Sequence, residues 1–562
     1  MRVLDLAWSN IESLPSRIGE LLHLRYLDLS GNQELEVLPT SINKLYNLET
    51  LNLTLCKKLK ELPKHISKLV KLRVLDTKGC DNLNSIPVGL GMLTNLHSLP
   101  VFVLREASSN CKQWFDHMED LKALKKLKGS LSICIQLPKN AKKYGQGGYL
   151  KDKEHLKDIC FSVNEEALME DMQPHCNLKR LQMLGYHGVR MPSWAKSLQN
   201  LVDLNLFRCP ELKHLACLGN MRHLKVLQLT DLPNLEYIIE NCSASHLARA
   251  VLPNAEGLSV LPSLELIKFQ SLRKLKGWVA DGQQLDCSNN TEMRKLCLSG
   301  LKSWQIDNCR ELKSIPSCPG LVSLSLKHFS ERLRIIKMDE QRDLPSPTTS
   351  SSPFVLDPIP KLRDVTTDNM TWLKSLPMES FQKVKSMSIW WDKKLECLGE
   401  VEQVLHSCSS SLRYLEIGYC DNLKSVCGGL EHLTSLESLT IARCCNLKLS
   451  YQEEKEDGDS ISMPWLSFRH SLHSLSLQSL SQLIDLPNWI QHLTVLENFT
   501  IFYCKELNSL PSWMSKLTSL SYLQIHDCSA RFHERCQNTT GQDWSYIKHI
   551  PKITINDKDV RK

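Results

Sequence analysis

No run of eighteen apolar residues occurs in this 562-residue chain, so no stretch is long enough to cross a bilayer as an apolar helix. A secretory leader is missing too, because Asp5 interrupts the apolar residues that follow Met1. The common signatures of catalysis are also lacking. No Gly-x-x-x-x-Gly-Lys-Ser/Thr loop is there to cradle phosphates, which leaves no basis for ATP or ADP binding, and no cofactor is expected. Neither Gly-x-Ser-x-Gly nor His-Glu-x-x-His occurs, so the chain is not expected to be an enzyme. Charge of one sign is not in large excess: 69 Lys plus Arg stand against 62 Asp plus Glu, a net of +7. The basic runs Lys57-Lys58-Leu59-Lys60 and Lys122 to Lys128 are interleaved with leucines and read as solvated faces. With no binding module beside them, nucleic acid is not an expected partner.

What the chain has is a period. Leu24, Leu48, Leu72 and Leu96 fall 24 residues apart, each opening a pattern with apolar residues at places one, four and six. Leu24-Arg25-Tyr26-Leu27-Asp28-Leu29 is the cleanest copy. A second register keeps phase with it, in Leu14-Pro15, Leu38-Pro39, Leu62-Pro63 and Ile86-Pro87. Places four and six point to one side of a short strand and the residues between them to the other. Pro ends each strand, having no N–H to donate to a ladder. Ser41 to Leu45 can then return as a short helical turn. These features describe an α/β leucine-rich repeat solenoid: a curved parallel sheet on the concave face, with short helices and turns on the convex face. Roughly twenty rungs about 4.8 Å apart would give an arc on the order of 95 Å.

The 22 cysteines would suggest disulfides if so many were not in register. Cys56, Cys80, Cys209, Cys309, Cys420, Cys444, Cys504 and Cys528 each stand three places after the last strand leucine, where Asn32 stands in its own repeat. There a small buried thiol or an amide can turn inward and bond to backbone, which implies free thiols and a reducing compartment. Sequons such as Asn52-Leu53-Thr54 lie across strands and fit an unglycosylated protein. His526, Cys528, His533 and Cys536 invite a metal reading. Cys528 already belongs to the ladder, however, and Cys-x-x-Cys pairs of zinc spacing are lacking, so no metal is expected.

Along the chain the expected blocks are residues 1–103 (regular 24-residue repeats), 104–177 (irregular transition), 178–240 (23-residue repeats), 241–360 (degenerate repeats with excursions), 361–534 (C-terminal repeats) and 535–562 (cap). Within the transition, Met118 to Lys128 reads as a helix, Leu131 to Ile135 as a strand and Gly145 to Gly148 as a loop. Asn241 to Val260 reads as a loop, Ser346 to Pro360 as a Ser/Pro-rich excursion and Tyr451 to Ser460 as an acidic one. Trp194, Trp489 and Trp513 follow Pro in the convex turns and are assigned to packing. Met1 to Leu6 already forms a strand motif with no polar cap before it, so the chain reads as a fragment or a truncated gene product.

Several stretches carry a resemblance. They are the opening Leu4-Asp5-Leu6 through Ile11-Glu12-Ser13-Leu14-Pro15 and Leu24 to Ser30, the segment Leu127-Lys128-Gly129-Ser130-Leu131-Ser132-Ile133, the block Gln173-Pro174-His175 to Pro192-Ser193-Trp194, and the ending Arg535-Cys536 to Gly541-Gln542-Asp543-Trp544 and Ile547 to Pro551. Together they resemble the leucine-rich repeat half of plant intracellular NLR immune receptors of the coiled-coil, RGA-like group. The coiled-coil and nucleotide-binding (NB-ARC) modules of that family have no counterpart here. The resemblance implies a cytoplasmic recognition and restraint module that binds protein: a pathogen effector or guarded host protein and, in a full-length receptor, the NB-ARC domain. The alternatives are a free-standing repeat scaffold for signalling proteins and a non-functional truncated product.

A binding site is expected where the strand face gains large side chains. Places three, five and seven of each motif face solvent; early they are mixed, as in Tyr26, Asp28 and Ser30, then Thr50, Asn52 and Thr54. In the last repeats they become Tyr414 and Glu416, then Phe502, then Tyr522, Gln524 and His526, which is the composition of interface anchors.

Overall fold

A leucine at place four of one rung meets the same place of the next, and this contact builds the molecule. In the computed structural model Leu27, Leu51 and Leu75 lie in register across three neighbouring strands, all fully buried. Each contributes about 1.5–3 kcal/mol, and none could do so within its own repeat. The structure describes the chain except residues 106–110, 137–146, 216–217, 219–220, 240–251, 255–256, 260, 280–296, 337–357, 450–463 and 561–562. The expected excursions Ser346 to Pro360 and Tyr451 to Ser460 fall wholly or mostly outside the described residues.

The chain forms two compact units, Met1–Met293 with Cys309–Lys313, and Arg294–Asn308 with Ser314–Lys562. In the first unit Val3–Asp5, Tyr26–Asp28, Thr50–Asn52 and Val74–Asp76 make a four-stranded parallel sheet. A second parallel series runs Val101–Leu104, Gly129–Ile135, Leu156–Val163, Arg180–Leu184, Asp203–Phe207, Val226–Thr230 and Leu266–Gln270. The second unit repeats the scheme through Ser303–Asp307, Ser323–Lys327, Asp364–Thr367, Ser386–Trp390, Tyr414–Gly418, Ser438–Ala442, Ser474–Gln478, Asn498–Phe502, Tyr522–His526 and Lys552–Ile555. Lys558–Asp559 then folds back antiparallel on the last of these, placing charge at the sheet's edge.

Prolines set the return path. Pro15 and Pro39 sit extended just before the 3-10 turns Ser16–Glu20 and Thr40–Lys44, whose last N–H groups bond back to Ile18 and Ile42. The three tryptophans of these turns are buried: Trp194 donates its indole N–H to Met169 O (2.8 Å) and Trp489 to Leu449 O (3.2 Å). Trp513 donates to Asn488 Oδ1 (3.2 Å).

Two local expectations need correction. The transition helix spans Cys111–Ala123 rather than Met118 to Lys128, because Trp114, Met118 and Leu121 bury one face together. Its C-terminal end meets a buried lysine: Lys153 Nζ donates to Leu124 O (2.9 Å) and reaches Lys122 O (3.4 Å). Burial lowers that ammonium to about 8. The stretch read as a loop from Asn241 to Val260 contains two short antiparallel strands, Leu252–Asn254 and Gly257–Ser259. Three-residue strands are too short to show an alternating pattern.

The cysteine ladder is present as read. All eight thiols are buried, and none of them is in a disulfide. Cys56 Sγ reaches Leu29 O (3.2 Å), Cys80 Sγ reaches Leu53 O (3.1 Å) and Cys504 Sγ reaches Leu477 O (3.7 Å), each across one rung. Asn32 fills the same place with three bonds, donating to Leu6 O (2.9 Å) and Leu29 O (2.8 Å) and accepting from Ile11 N (2.9 Å). Burial pushes the thiols of Cys56 and Cys209 up to about 11.

Candidate protein-binding surface

Most of the regular rungs turn sharply after place seven of the strand, and the backbone does so with one left-handed residue at place eight. Trp8, Leu55, Arg208, Asp231, Ser271, Asn308, His328, Trp391, Tyr419, Arg443, Ser479, Tyr503 and Asp527 all have φ between 48° and 63°. A non-glycine residue pays about 1–2 kcal/mol for that conformation. The turn recovers some of it by sending its N–H to the neighbouring rung: Trp391 N to Gly418 O and Tyr419 N to Ala442 O (both 2.9 Å), and Tyr503 N to His526 O (2.8 Å). The side chains of this place form a rim at the carboxyl ends of the strands. Gly31 holds the place beside Trp8, and a Cβ there would lie 2.3 Å from the indole.

In the second unit the rim and the adjoining strand face carry a cluster of aromatic rings. Trp390, at place seven, is paired in register with Gly418, and a Cβ on Gly418 would come within 2.3 Å of the indole ring. Glycine therefore lets Trp390 lie over the neighbouring strand. From there Trp391 and Tyr419 stack at 5.0 Å, with Trp390 5.8 Å from each. Cations close the ends: Lys327 Nζ sits 5.4 Å from the centre of the Trp391 ring and the Arg443 guanidinium 5.1 Å from that of Tyr419. Trp391 is 41% exposed. The sequence reading missed this group because place eight carries no core duty and so no fixed residue type. One signal was available: the place directly precedes the ladder cysteines, as in Tyr419-Cys420, Arg443-Cys444 and Tyr503-Cys504.

The residues singled out from the sequence fall into two groups on this unit's sheet. Phe502, Tyr522, Gln524 and His526 lie on adjacent strands, with Phe502 opposite His526. The Phe502 and His526 rings stack at 5.1 Å and 18°. Tyr522 is half-buried under Lys552 (4.9 Å from the ring centre) and shares a hydrogen bond with Thr554 Oγ1 (3.1 Å). Gln524 is half-buried and lies in register with Thr554. Tyr414 and Glu416 belong to a strand with two others between it and the Phe502 strand, roughly 14 Å away at the usual spacing. Tyr414 is 48% exposed, and Glu416 accepts from Ser388 Oγ (3.1 Å).

His526 bonds through Nε2 to Asp557 (3.0 Å), and its Nδ1 lies 3.0 Å from Asp527 without hydrogen-bond geometry. The bond to Asp557 raises its pKa, with both carboxylate charges adding to the effect. Its sequence neighbours do structural work. Cys528 N donates to His533 Nε2 (3.2 Å), and Cys536 is buried in the cap. Among the described residues no cluster of three or more metal-ligating side chains occurs. Among them, too, no helix is long and apolar enough to cross a membrane.

One expectation about the first unit changes. Asp28 is not free of duty: it is 7% exposed and accepts from Tyr26 OH and Asn52 Nδ2 (both 2.8 Å) and from Ser30 N (2.8 Å). The Tyr26 hydroxyl and the next rung's amide together cover its carboxylate. Basic runs are likewise engaged, with Lys58 on Glu34 (2.5 Å) and Lys60 on Glu36 (2.7 Å) one rung away.

A family model described as leucine-rich repeat region matches residues 1–248, and one described as plant disease resistance protein RPS2-like, leucine-rich repeats matches residues 393–529. A Solanum bulbocastanum protein named as disease resistance protein RGA1 is 38% identical over 372 residues, covering 56% of this chain and 37% of its own length. Over the matched residues the chain is similar to the leucine-rich repeats of plant disease-resistance proteins. A second Solanum bulbocastanum protein of that name, RGA4, is 28% identical over 183 residues, covering 30% of this leucine-rich repeat chain and 17% of its own length. The repeat region thus spans well under half of the curated relatives it matches. Among solved structures it is similar to the Leptospira interrogans LRR protein LIC12759 (18% identity, 97% of this chain and 98% of that one, TM-score 0.36). It is also similar to the plant peptide hormone receptor RGFR1 in complex with RGF2 (14% identity, 99% and 89%, TM-score 0.30).

Proposed function

We propose that this repeat region recognises a protein partner through the strand face around Phe502 and Tyr522. In a whole receptor of the disease-resistance type it senses a pathogen effector or a guarded host protein, and it restrains the NB-ARC domain until then. Its place of action on this reading is the cytoplasm. The observation that carries it is the placing of Phe502, Tyr522 and His526 side by side on the outer face of the sheet, where their rings take no part in the leucine core. Half-buried rings beside polar groups are what interface anchors look like. The relatives' names supply the defence context, and the repeat fold supplies a rigid platform.

The test uses a complete receptor carrying these repeats. Tyr522→Ala with Phe502→Ala should cut partner binding at least tenfold, measured as co-purification and as the triggered response. Thr50→Ala with Val74→Ala, on the strand face of the first unit, should leave both near the unmodified level. A normally folded Tyr522/Phe502 variant that responds fully would rule the site out.

A further inference from the structure

The cations of the two rims are treated differently. In the first unit Arg208 sits over Phe207 (5.0 Å) with Asp231 3.7 Å away, and Lys276 over Tyr237 (5.9 Å) bonds to Glu236 at 2.7 Å. There each ring-bound cation has a carboxylate partner. In the second unit Lys327 over Trp391, Arg443 over Tyr419 and Lys505 over Tyr503 (4.6 Å) form no ion pair with any described residue. Nearby carboxylates are engaged elsewhere. Asp392 is buried, accepting from Met370 N (2.7 Å), Lys394 N (2.9 Å) and Leu395 N (3.1 Å), and Asp368 accepts from His328 N (2.5 Å). Three positive charges are thus held on rings of the rim, two of them exposed, with no described carboxylate paired to them.

We propose that this rim, from Lys327 through Trp391, Tyr419 and Arg443 to Tyr503 and Lys505, is a docking surface for an extended acidic segment of a partner protein. The charges fix the chemistry: carboxylates over the cations, and apolar side chains over the exposed rings between them. The rungs fix the spacing. Four strand steps separate the rungs of Lys327 and Arg443, and two more reach that of Lys505. The side chains of Lys327 and Arg443 lean inward over the stacked rings, which brings their charges to within about 15 Å of each other, and two steps are roughly 10 Å, so an extended chain covers the two intervals in about five and three residues. The partner's carboxylates therefore fall near places one, six and nine, with apolar residues near three and five. A single-stranded nucleic acid also stacks on aromatic platforms between cations. It is disfavoured because Glu416 and Asp527, on the same face and rim, would meet a continuous phosphate chain.

The inference rests on the reading of this unit as a protein-binding surface. It is tested without a receptor, so its failure would leave the recognition experiment above intact. The probe is a fluorescein-labelled ten-residue peptide with Glu at places one, six and nine, Leu at three and five, and Ser elsewhere. It is titrated into the full 562-residue chain. The acidic peptide should bind at least tenfold more tightly than its Gln counterpart, and the difference should shrink as salt is raised. Lys327→Gln with Arg443→Gln, two surface changes that leave the core untouched, should remove most of that advantage. Trp391→Ser should weaken both peptides. Equal binding of the Gln peptide, or an unchanged Lys327/Arg443 variant, would overturn the proposal. Tighter binding of a ten-nucleotide oligothymidylate would overturn it in favour of nucleic acid.

Discussion

At the scale of single residues, the place a side chain occupies in the rung decides its chemistry more than its type does. Cys56 and Asn32 do the same work, bonding to loop carbonyls inside the turn. His526 does another kind. Its bond to Asp557 favours the protonated ring and raises its pKa above the usual value, so the folded state holds that proton more tightly than the unfolded chain. The resulting stabilisation is fully present below about pH 6.5, where the unfolded histidine is itself charged. It is lost as the pH rises through the raised folded value. His526→Gln should therefore lower the melting temperature of the C-terminal unit more at pH 5.5 than at pH 8.5. A difference that is equal at both, or larger at pH 8.5, would show that the His526–Asp557 pair is not charged in the fold.

At the scale of elements, the repeat was legible wherever burial imposes residue type. Leu24, Leu48, Leu72 and Leu96 are all fully buried, so selection of one shape at one place leaves a readable period. The left-handed corner was not legible, because only its backbone is constrained: Trp8, Gly31, Arg208, Asp231 and Tyr419 all satisfy it. The aromatic group at Trp390 and Trp391 was missed for that reason, while Phe502 and Tyr522, on the strand itself, were found. The cap lies between these cases. Ile547 and Ile553 are buried as their apolar character suggests, but the residue that ties the cap down is Asp543. It is buried, accepts from Leu510 N (2.9 Å), and holds Arg535 through both oxygens (3.0 and 2.6 Å). Asp543→Ala leaves the Leu510 N–H without its acceptor and the Arg535 guanidinium with Gln542 Oε1 alone. It should cost about 3 kcal/mol, the low end for a broken buried pair, because Arg535 remains partly in water. Amide hydrogen exchange of Lys552–Ile555 in rising denaturant measures it, and a loss under about 0.5 kcal/mol, the range of ordinary surface changes, would mean that the ion pair does not hold the cap.

At the scale of the whole molecule, cohesion comes mainly from neighbouring rungs. Within each parallel series a strand pairs with the strands on either side of it, and ion pairs such as Arg25–Glu49 (3.2 Å) and Lys424–Glu396 (2.7 Å) likewise join adjacent rungs. Those exposed pairs contribute at most about 1 kcal/mol each, so the leucine core carries the coupling. A chain held this way should not unfold as one cooperative body. Leu439 is fully buried between Leu415 and Leu475, its register partners on the two flanking strands. Leu439→Ala should cost about 2–5 kcal/mol locally. Amide hydrogen exchange should accelerate in Ser438–Ala442 and, less strongly, in Tyr414–Gly418 and Ser474–Gln478, while Tyr26–Asp28 and Thr50–Asn52 in the first unit keep their protection. Equal acceleration in every strand would show one cooperative body instead of a series of rungs. The gradient also bears on recognition, because a partner seated on the rim would then stabilise the rungs it touches and leave the first unit's exchange unchanged.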